Sequence, residues 1–194
     1  MSQATLTENA PITLDATSSR HVKTSWPRYA SLRMDIRKEV KPDIVADARF
    51  LPFRDGVFEA INCDPPHFID PPKSFRENIL VVGDWFASVN RQRFMHQHMV
   101  HKMARFGYWK STEDWLDFLR KTNDEFVRCL GTRGQLFYKI LDGMKSGHKT
   151  VRLADLQLMT NFEIIKDILG ESNNHNPVHY LTMKSKSSEK EKVG

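Results

Sequence analysis

The sequence of 194 residues has little cysteine and no long apolar run. Its two cysteines, Cys63 and Cys129, are too few for a disulfide framework or a four-thiolate metal site. No apolar stretch approaches the roughly 18 residues of a membrane span, and the first residues lack the basic and apolar regions of a secretory signal. We therefore expect a reducing, cytoplasmic location and exclude the secreted, membrane and disulfide-scaffold classes.

The composition is that of a folded domain, with 40% apolar and 27% charged residues and a net charge of +5. The positive excess mildly favours an acidic partner. Residues 1–20 are polar and aperiodic, which predicts a flexible arm, and residues 186–194 predict a flexible tail. A single domain is therefore expected over residues 21–185.

Within this domain the segments alternate between strand and helix patterns, which is typical of an α/β fold with a mostly parallel sheet. A helix is expected to begin with a cap at Ser111 and to end at Gly131. The Asp55-Gly56 pair predicts a turn with positive φ. The pattern predicts strands at 31–36, 43–48, 57–63, 135–141, 162–166 and 178–183, and a second helix at 151–160.

Three acidic residues, Asp35, Asp47 and Asp64, lie at or just after the ends of consecutive predicted strands. Parallel strands bring these ends to one edge of the sheet, where ligands of open α/β sheets bind. A carboxylate there can accept the hydroxyls of a ribose or the hydrogens of an exocyclic amine. The alternative is structural, because strand-terminal Asp residues are also common turn and cap formers.

The string Asp64-Pro65-Pro66-His67 is the most specific in the chain. Its prolines stiffen the backbone and lack N–H groups, which leaves nearby carbonyls free to accept. The Asp64 carboxylate and one such carbonyl could hold both hydrogens of an amino group, while the ring of His67 or Phe68 stacks on an aromatic base. Positioning is the main catalytic contribution of such a site. The alternative is a rigid surface turn.

Residues 43–67, DIVADARFLPFRDGVFEAINCDPPH, resemble the central part of class I S-adenosylmethionine-dependent methyltransferases. The final four letters are similar to the D-P-P-aromatic or D-P-P-His motif of amino-methyltransferases that act on nucleic acid, adenine N6 above all. The resemblance covers residues 31–185. It implies a Rossmann-like sheet, S-adenosylmethionine as the cofactor and a catalytic role for residues 64–67.

The same resemblance implies that Asp35 binds the cofactor ribose and that Asp47 with Ala48 contacts the adenine. One feature of the family is absent, because no glycine-rich E/D-x-G-x-G loop precedes Asp35. Short, virus-type members resemble the chain in this respect. We therefore expect an N-terminally trimmed sheet, or a replacement loop in which Lys23 and Arg28 meet the cofactor carboxylate.

Residues 68–110 form a long connection after the D-P-P-H strand, with seven basic and three acidic residues and many aromatic rings. A plain connection is shorter, so we expect an inserted helical lid. Cations interleaved with aromatic rings suit single-stranded nucleic acid, and a target base must leave its stack to react. The alternative is a solvated lid with its rings packed inward. The substrate-binding candidates are Phe68, Arg91, Arg93, Lys102, Arg105, Tyr108 and Trp109.

Lys139 lies in the middle of a predicted strand, where its amine could reach the site or simply shield a strand edge. RNA ribose 2′-O-methyltransferases, which the chain also resembles in outline, use a Lys-Asp-Lys-Glu tetrad, and Lys23, Asp64 and Lys139 could supply three members. A desolvated Lys that lies next to another cation can act as a general base. Ribose methylation is therefore the alternative activity, and an inactive nucleic-acid-binding module is the non-enzyme alternative.

A metal site is not predicted. The three histidines of the His-x-His-x-x-His string do not share one helix face, because residues two apart point in different directions. These residues are His96, His98 and His101.

Overall fold

The computed structural model describes residues 12–18, 30–70, 107–142, 150–171 and 177–186. Within them the chain forms a seven-stranded sheet, one α-helix and two short 3-10 turns, Lys38–Val40 and Leu153–Leu158. The strands are β1 (Thr13–Asp15), β2 (Leu32–Asp35), β3 (Ile44–Val45), β4 (Phe58–Cys63), β5 (Leu130–Leu141), β6 (Phe162–Glu171) and β7 (Pro177–Ser185), and the helix is α1 (Thr112–Cys129). No helix in these ranges is both long and apolar enough to cross a membrane.

The strand order is β3-β2-β1-β4-β5-β7-β6. Strands β1 to β5 pair in parallel, whereas β7 pairs antiparallel with both β5 and β6. The order reverses between β1 and β4, and the crevice at such a reversal is where doubly wound sheets bind ligands. The expected Rossmann-like α/β fold is confirmed.

Strand β1 corrects the prediction for the start of the chain. We expected residues 1–20 to be an arm and the sheet to lack its first strand, but Thr13–Asp15 lies in the middle of the sheet, between β2 and β4. Thr13 and Leu14 are buried. Three residues make a very short strand, and the alternation of Ile12, Leu14 and Ala16 with polar residues is too brief to stand out in the sequence.

Helix α1 covers one face of the sheet. Ser111 caps it as predicted, because its side-chain oxygen accepts the backbone N–H of Asp114. The predicted end at Gly131 is wrong: the helix ends at Cys129, and Leu130 adopts extended backbone angles that begin β5 directly. The side chains that α1 buries in the core are Trp115, Phe118, Leu119 and Phe126.

For the remaining helices and strands, the sequence predicted the type of element more accurately than its length. Residues 151–160 contain a 3-10 turn, Leu153–Leu158, and not an α-helix. Strands β6 and β7 are both longer than predicted, and β3 has only two residues. The predicted lid at 68–110 is described only at its two ends, so its helical character lies outside the described residues.

The turn before β4 is tied to α1 by the side chains of Arg128 and Glu125, and Glu125 accepts the Leu51 backbone N–H at 2.6 Å. Gly56 has φ of 65°, as the Asp-Gly pair predicts. The Arg128 guanidinium donates to the carbonyls of Leu51 and Phe53 at 2.9 and 2.7 Å, and it also contacts Glu125. These bonds fix the segment that follows Asp47 against the helix, and so they position one wall of the site.

Candidate active site

A cleft of about 300 Å³ lies at the carboxyl ends of β1, β2 and β3. Its walls come from the loops after these three strands, the Pro66 corner after β4, residues 107–110 and the start of α1. This volume is at the lower end of the range for small-molecule sites. The cleft therefore lies where the strand order reverses, as the fold predicts.

Asp35 is buried at the end of β2 and faces this cleft. Its Oδ1 accepts the backbone N–H and the Nε–H of Arg37 at 2.8 and 3.0 Å, and its Oδ2 accepts Nη2 at 3.0 Å. A carboxylate offers about four lone pairs. Asp35 can therefore accept one ligand hydroxyl while Arg37 stays in place, and a second only if Arg37 turns away.

Asp47 repeats this arrangement after β3. Its carboxylate accepts the backbone N–H and the guanidinium of Arg49, with the shortest contact, Oδ2 to Nη2, at 2.7 Å. Arg49 also reaches Asp114 of α1 at 3.1 Å, and these carboxylates raise the pKa of its guanidinium, Asp47 most of all. Ala48 between them is buried and forms a flat wall of the cleft.

Asp64 is held from two sides beyond the end of β4. Its backbone N–H donates to the Thr17 hydroxyl oxygen at 2.7 Å, and its Oδ2 accepts the Lys139 ammonium at 2.7 Å. Its Oδ1 is buried and, among the described residues, has no hydrogen-bond partner. A buried acceptor without a partner carries a free-energy cost, so this atom marks a place where a ligand donor would be favourable.

The D-P-P-H corner is supported from behind. The Trp109 indole N–H donates to the Pro66 carbonyl at 2.7 Å, and the His67 carbonyl accepts the backbone N–H of Val151. The His67 Nε2 lies 3.4 Å from Asp64 Oδ1. The imidazole therefore lies beside the carboxylate, and its stacking on a base stays a prediction.

The substrate candidates separate into three groups. Phe68 is 6% exposed and does not line the cleft, so the structure contradicts its role as an accessible stacking ring. Tyr108 and Trp109 line the same cleft as Asp35, which places them near the predicted cofactor site. The cationic candidates and the histidine string lie outside the described residues: Lys23, Arg28, Arg91, Arg93, Lys102, Arg105, His96, His98 and His101.

Sequence reasoning missed four residues of this site. Two of them, Arg37 and Arg49, belong to Asp-x-Arg repeats that are visible in the sequence. The other two, Asp15 and Thr17, follow from the strand that was not recognised. The structure brings all four to the same edge of the sheet as the predicted acids.

Asp15 is a further acid at this edge. Burial above all, and then the charge of Asp64, raises the pKa of its carboxyl from 3.8 to about 6, although the Thr17 backbone N–H and the Arg33 charge oppose the shift. The folded protein therefore keeps this proton to a higher pH than the unfolded chain does, and stability falls as the pH rises from about 4 to about 6.

We expect Asp15→Asn to be more stable than the wild type at pH 7.5, by up to about 3 kcal/mol, because the amide avoids burying a charge. The difference should shrink towards about pH 4. Urea unfolding at both pH values measures it, with Glu59→Gln, at an exposed position of β4, as the control. A stability difference that does not change with pH would contradict this assignment.

Comparisons with known proteins give structural matches of low identity. The chain matches no protein-family model and no curated protein. The PH0226 protein of Pyrococcus horikoshii is 13% identical and has a TM-score of 0.40, with 79% of this chain and 70% of that chain covered. A SAM-dependent methyltransferase from Leishmania major is 10% identical with a TM-score of 0.43, and the match covers 78% of this chain and 54% of that one.

A third similar structure is the TTHA0409 protein of Thermus thermophilus, named as a candidate DNA modification methylase. It is 17% identical with a TM-score of 0.39, and the match covers 72% of this chain. The chain spans 52% of the length of TTHA0409 and 54% of that of the Leishmania protein.

Proposed function

We propose that the chain is an S-adenosylmethionine-dependent methyltransferase that modifies an exocyclic amine of a nucleic acid, with adenine N6 as the first candidate. The proposal depends on one observation, the surroundings of the Asp64 carboxylate. This carboxylate is fixed by Lys139 at 2.7 Å, and its buried Oδ1 accepts no hydrogen bond from the described residues, although the His67 Nε2 lies 3.4 Å from it. This atom lies next to the point where the strand order reverses.

The cleft beside Asp64 has donors and acceptors that suit an adenosine cofactor. Asp35 would accept a ribose hydroxyl through its remaining lone pair, and Asp47 with the flat wall at Ala48 would meet the adenine. When bound, S-adenosylmethionine supplies a methyl group on a sulfonium, which is a strong electrophile.

The residues of the chain then act on the amine. Asp64 Oδ1 would accept one N–H of the amino group, and the Pro65 carbonyl would accept the other, because Trp109 already uses the carbonyl of Pro66. Two fixed acceptors orient the nitrogen lone pair, and orientation is the main contribution that such a site offers. The Lys139 ammonium holds the Asp64 carboxylate in place from the other side.

A nucleic acid is the proposed partner because the chain carries a net charge of +5 and concentrates cations and aromatic rings between residues 68 and 110. Positive charge attracts phosphates without regard to sequence, and aromatic rings stack on exposed bases. A cytoplasmic location is part of the same proposal.

The proposal is tested by identifying the methylated product. Purified protein is incubated with labelled S-adenosylmethionine and single-stranded DNA or RNA, and the nucleic acid is digested to nucleosides. We expect N6-methyladenosine or its deoxy form. If calorimetry detects no cofactor binding and neither nucleic acid is methylated, the proposal is overturned in favour of an inactive binding module.

Ribose 2′-O-methylation is the second candidate, because Lys139 and Asp64, two of the residues that could supply the Lys-Asp-Lys-Glu tetrad, are in contact at 2.7 Å. A hydroxyl must lose its proton on reaction, and a Lys paired with a carboxylate is a suitable proton acceptor only when its own proton has been removed. A 2′-O-methyl nucleoside in the same digest would establish this activity and reject the amine as the target.

A further inference from the structure

The loop that follows β1 forms part of the cleft wall without any glycine. Ala16 and Thr17 line the cleft, and the Ala16 backbone N–H donates to the Asn62 carbonyl of β4 at 2.9 Å. The Thr17 side chain is therefore available in this part of the cleft wall.

The Thr17 side chain reaches the catalytic corner. Its hydroxyl oxygen accepts the backbone N–H of Asp64 at 2.7 Å, across 47 residues of sequence. Because Pro65 and Pro66 have no N–H group, the amide of Asp64 is the last backbone donor before His67. The bond from Thr17 therefore fixes the backbone of the corner on one side, while Lys139 fixes the carboxylate on the other.

We infer that Thr17 is a positioning residue that joins the cofactor cleft to Asp64. Thr17 lines the cleft, and its hydroxyl oxygen accepts the Asp64 backbone N–H. The same residue therefore contacts the space proposed for the cofactor and positions the carboxylate proposed to hold the amine. An error of about 1 Å in such an arrangement can reduce a rate about 100-fold. The inference rests on the proposed function.

Thr17→Val tests it, because valine keeps the branched shape and removes the acceptor. We expect kcat to fall about 10- to 100-fold, while KM for the nucleic acid and Kd for S-adenosylhomocysteine stay within about threefold of the wild type. Thr17→Ser should restore most of the lost rate, because serine returns the oxygen. A purely structural role would not separate kcat from KM in this way.

Thr122→Val is the matched control. Thr122 is a buried threonine of α1 whose hydroxyl donates to the Phe118 carbonyl at 2.7 Å, away from the Asp64 corner. It should lower the melting temperature without changing kcat. If Thr17→Val does not fold, Thr17→Ala and Thr17→Ser are compared in its place, since they differ in the same oxygen.

Three results would overturn the inference. They are equal kcat values for Thr17→Val and Thr17→Ser, a loss of cofactor affinity as large as the loss of kcat, and an equal loss of kcat in Thr122→Val. Failure of the proposed function is distinguishable, because the wild-type protein would then transfer no methyl group at all.

Discussion

Asp64→Asn should lower the rate of methyl transfer about 100- to 1,000-fold, the range seen when one fixed polar partner of a reacting group is removed. The amide loses the negative charge, and its NH₂ group can present a donor where the amine needs an acceptor. Asp64 does not line the cleft, so the Kd for S-adenosylhomocysteine should change less than about threefold. Single-turnover assays and calorimetry measure the two quantities.

Asp70→Asn is the control, because it makes the same chemical change six residues further on at an exposed position. Asn also tolerates the positive φ of 44° found there. Asp64→Asn leaves the Lys139 ammonium without its counter-ion, which can lower stability. The double variant Asp64→Asn with Lys139→Met removes that unpaired charge, so a rate loss that persists in it is not caused by lost stability. Full activity in Asp64→Asn would reject every mechanism based on the D-P-P-H corner.

Asp35→Asn should weaken cofactor binding about 10- to 100-fold while leaving kcat at saturating cofactor nearly unchanged. The change removes an acceptor for the ribose and breaks the two-point contact with Arg37, and hydrogen bonds to charged groups are each worth about 1.5 to 3 kcal/mol. Calorimetry with S-adenosylhomocysteine gives the affinity directly. The loss should appear in Kd because the residue lies in the cleft, away from the reacting amine.

Two further variants make this result specific. Asp43→Asn alters an exposed carboxylate near β3 that accepts the Arg33 backbone N–H, and it should bind the cofactor normally. Arg37→Met leaves Asp35 intact and removes the two guanidinium bonds but not the backbone N–H bond, so it reports whether the guanidinium competes with the ribose. Wild-type affinity in Asp35→Asn would show that the ribose is bound elsewhere.

The parts of the fold that could be predicted are those with strong local signals. The capping oxygen of Ser111 and the spacing of buried rings located α1, and the Asp-Gly pair located the turn at Gly56. The sequence also predicted that Asp35, Asp47 and Asp64 share one edge of the sheet. This follows because the carboxyl ends of parallel strands lie at the same edge. These features depend on residues that are close together in the sequence.

The parts that were missed depend on contacts between distant residues. Strand β1 has three residues, and its place in the sheet comes from hydrogen bonds to both β2 and β4 and from burial of Leu14. The bond from Thr17 to Asp64 has no local pattern at all. The burial of Phe68 likewise depends on residues around 109 and 150 that pack near it.

The two ends of the long connection after β4 are joined to each other. The Asp70 backbone N–H donates to the Trp109 carbonyl, and the Trp109 N–H donates to the Phe68 carbonyl, both at 2.9 Å. The two ends of this connection therefore lie side by side. When the two ends of a connection are fixed side by side, its length can change with little loop-closure entropy to offset, so the sequence between Asp70 and Trp109 can vary while the sheet edge that carries Asp64 stays unchanged.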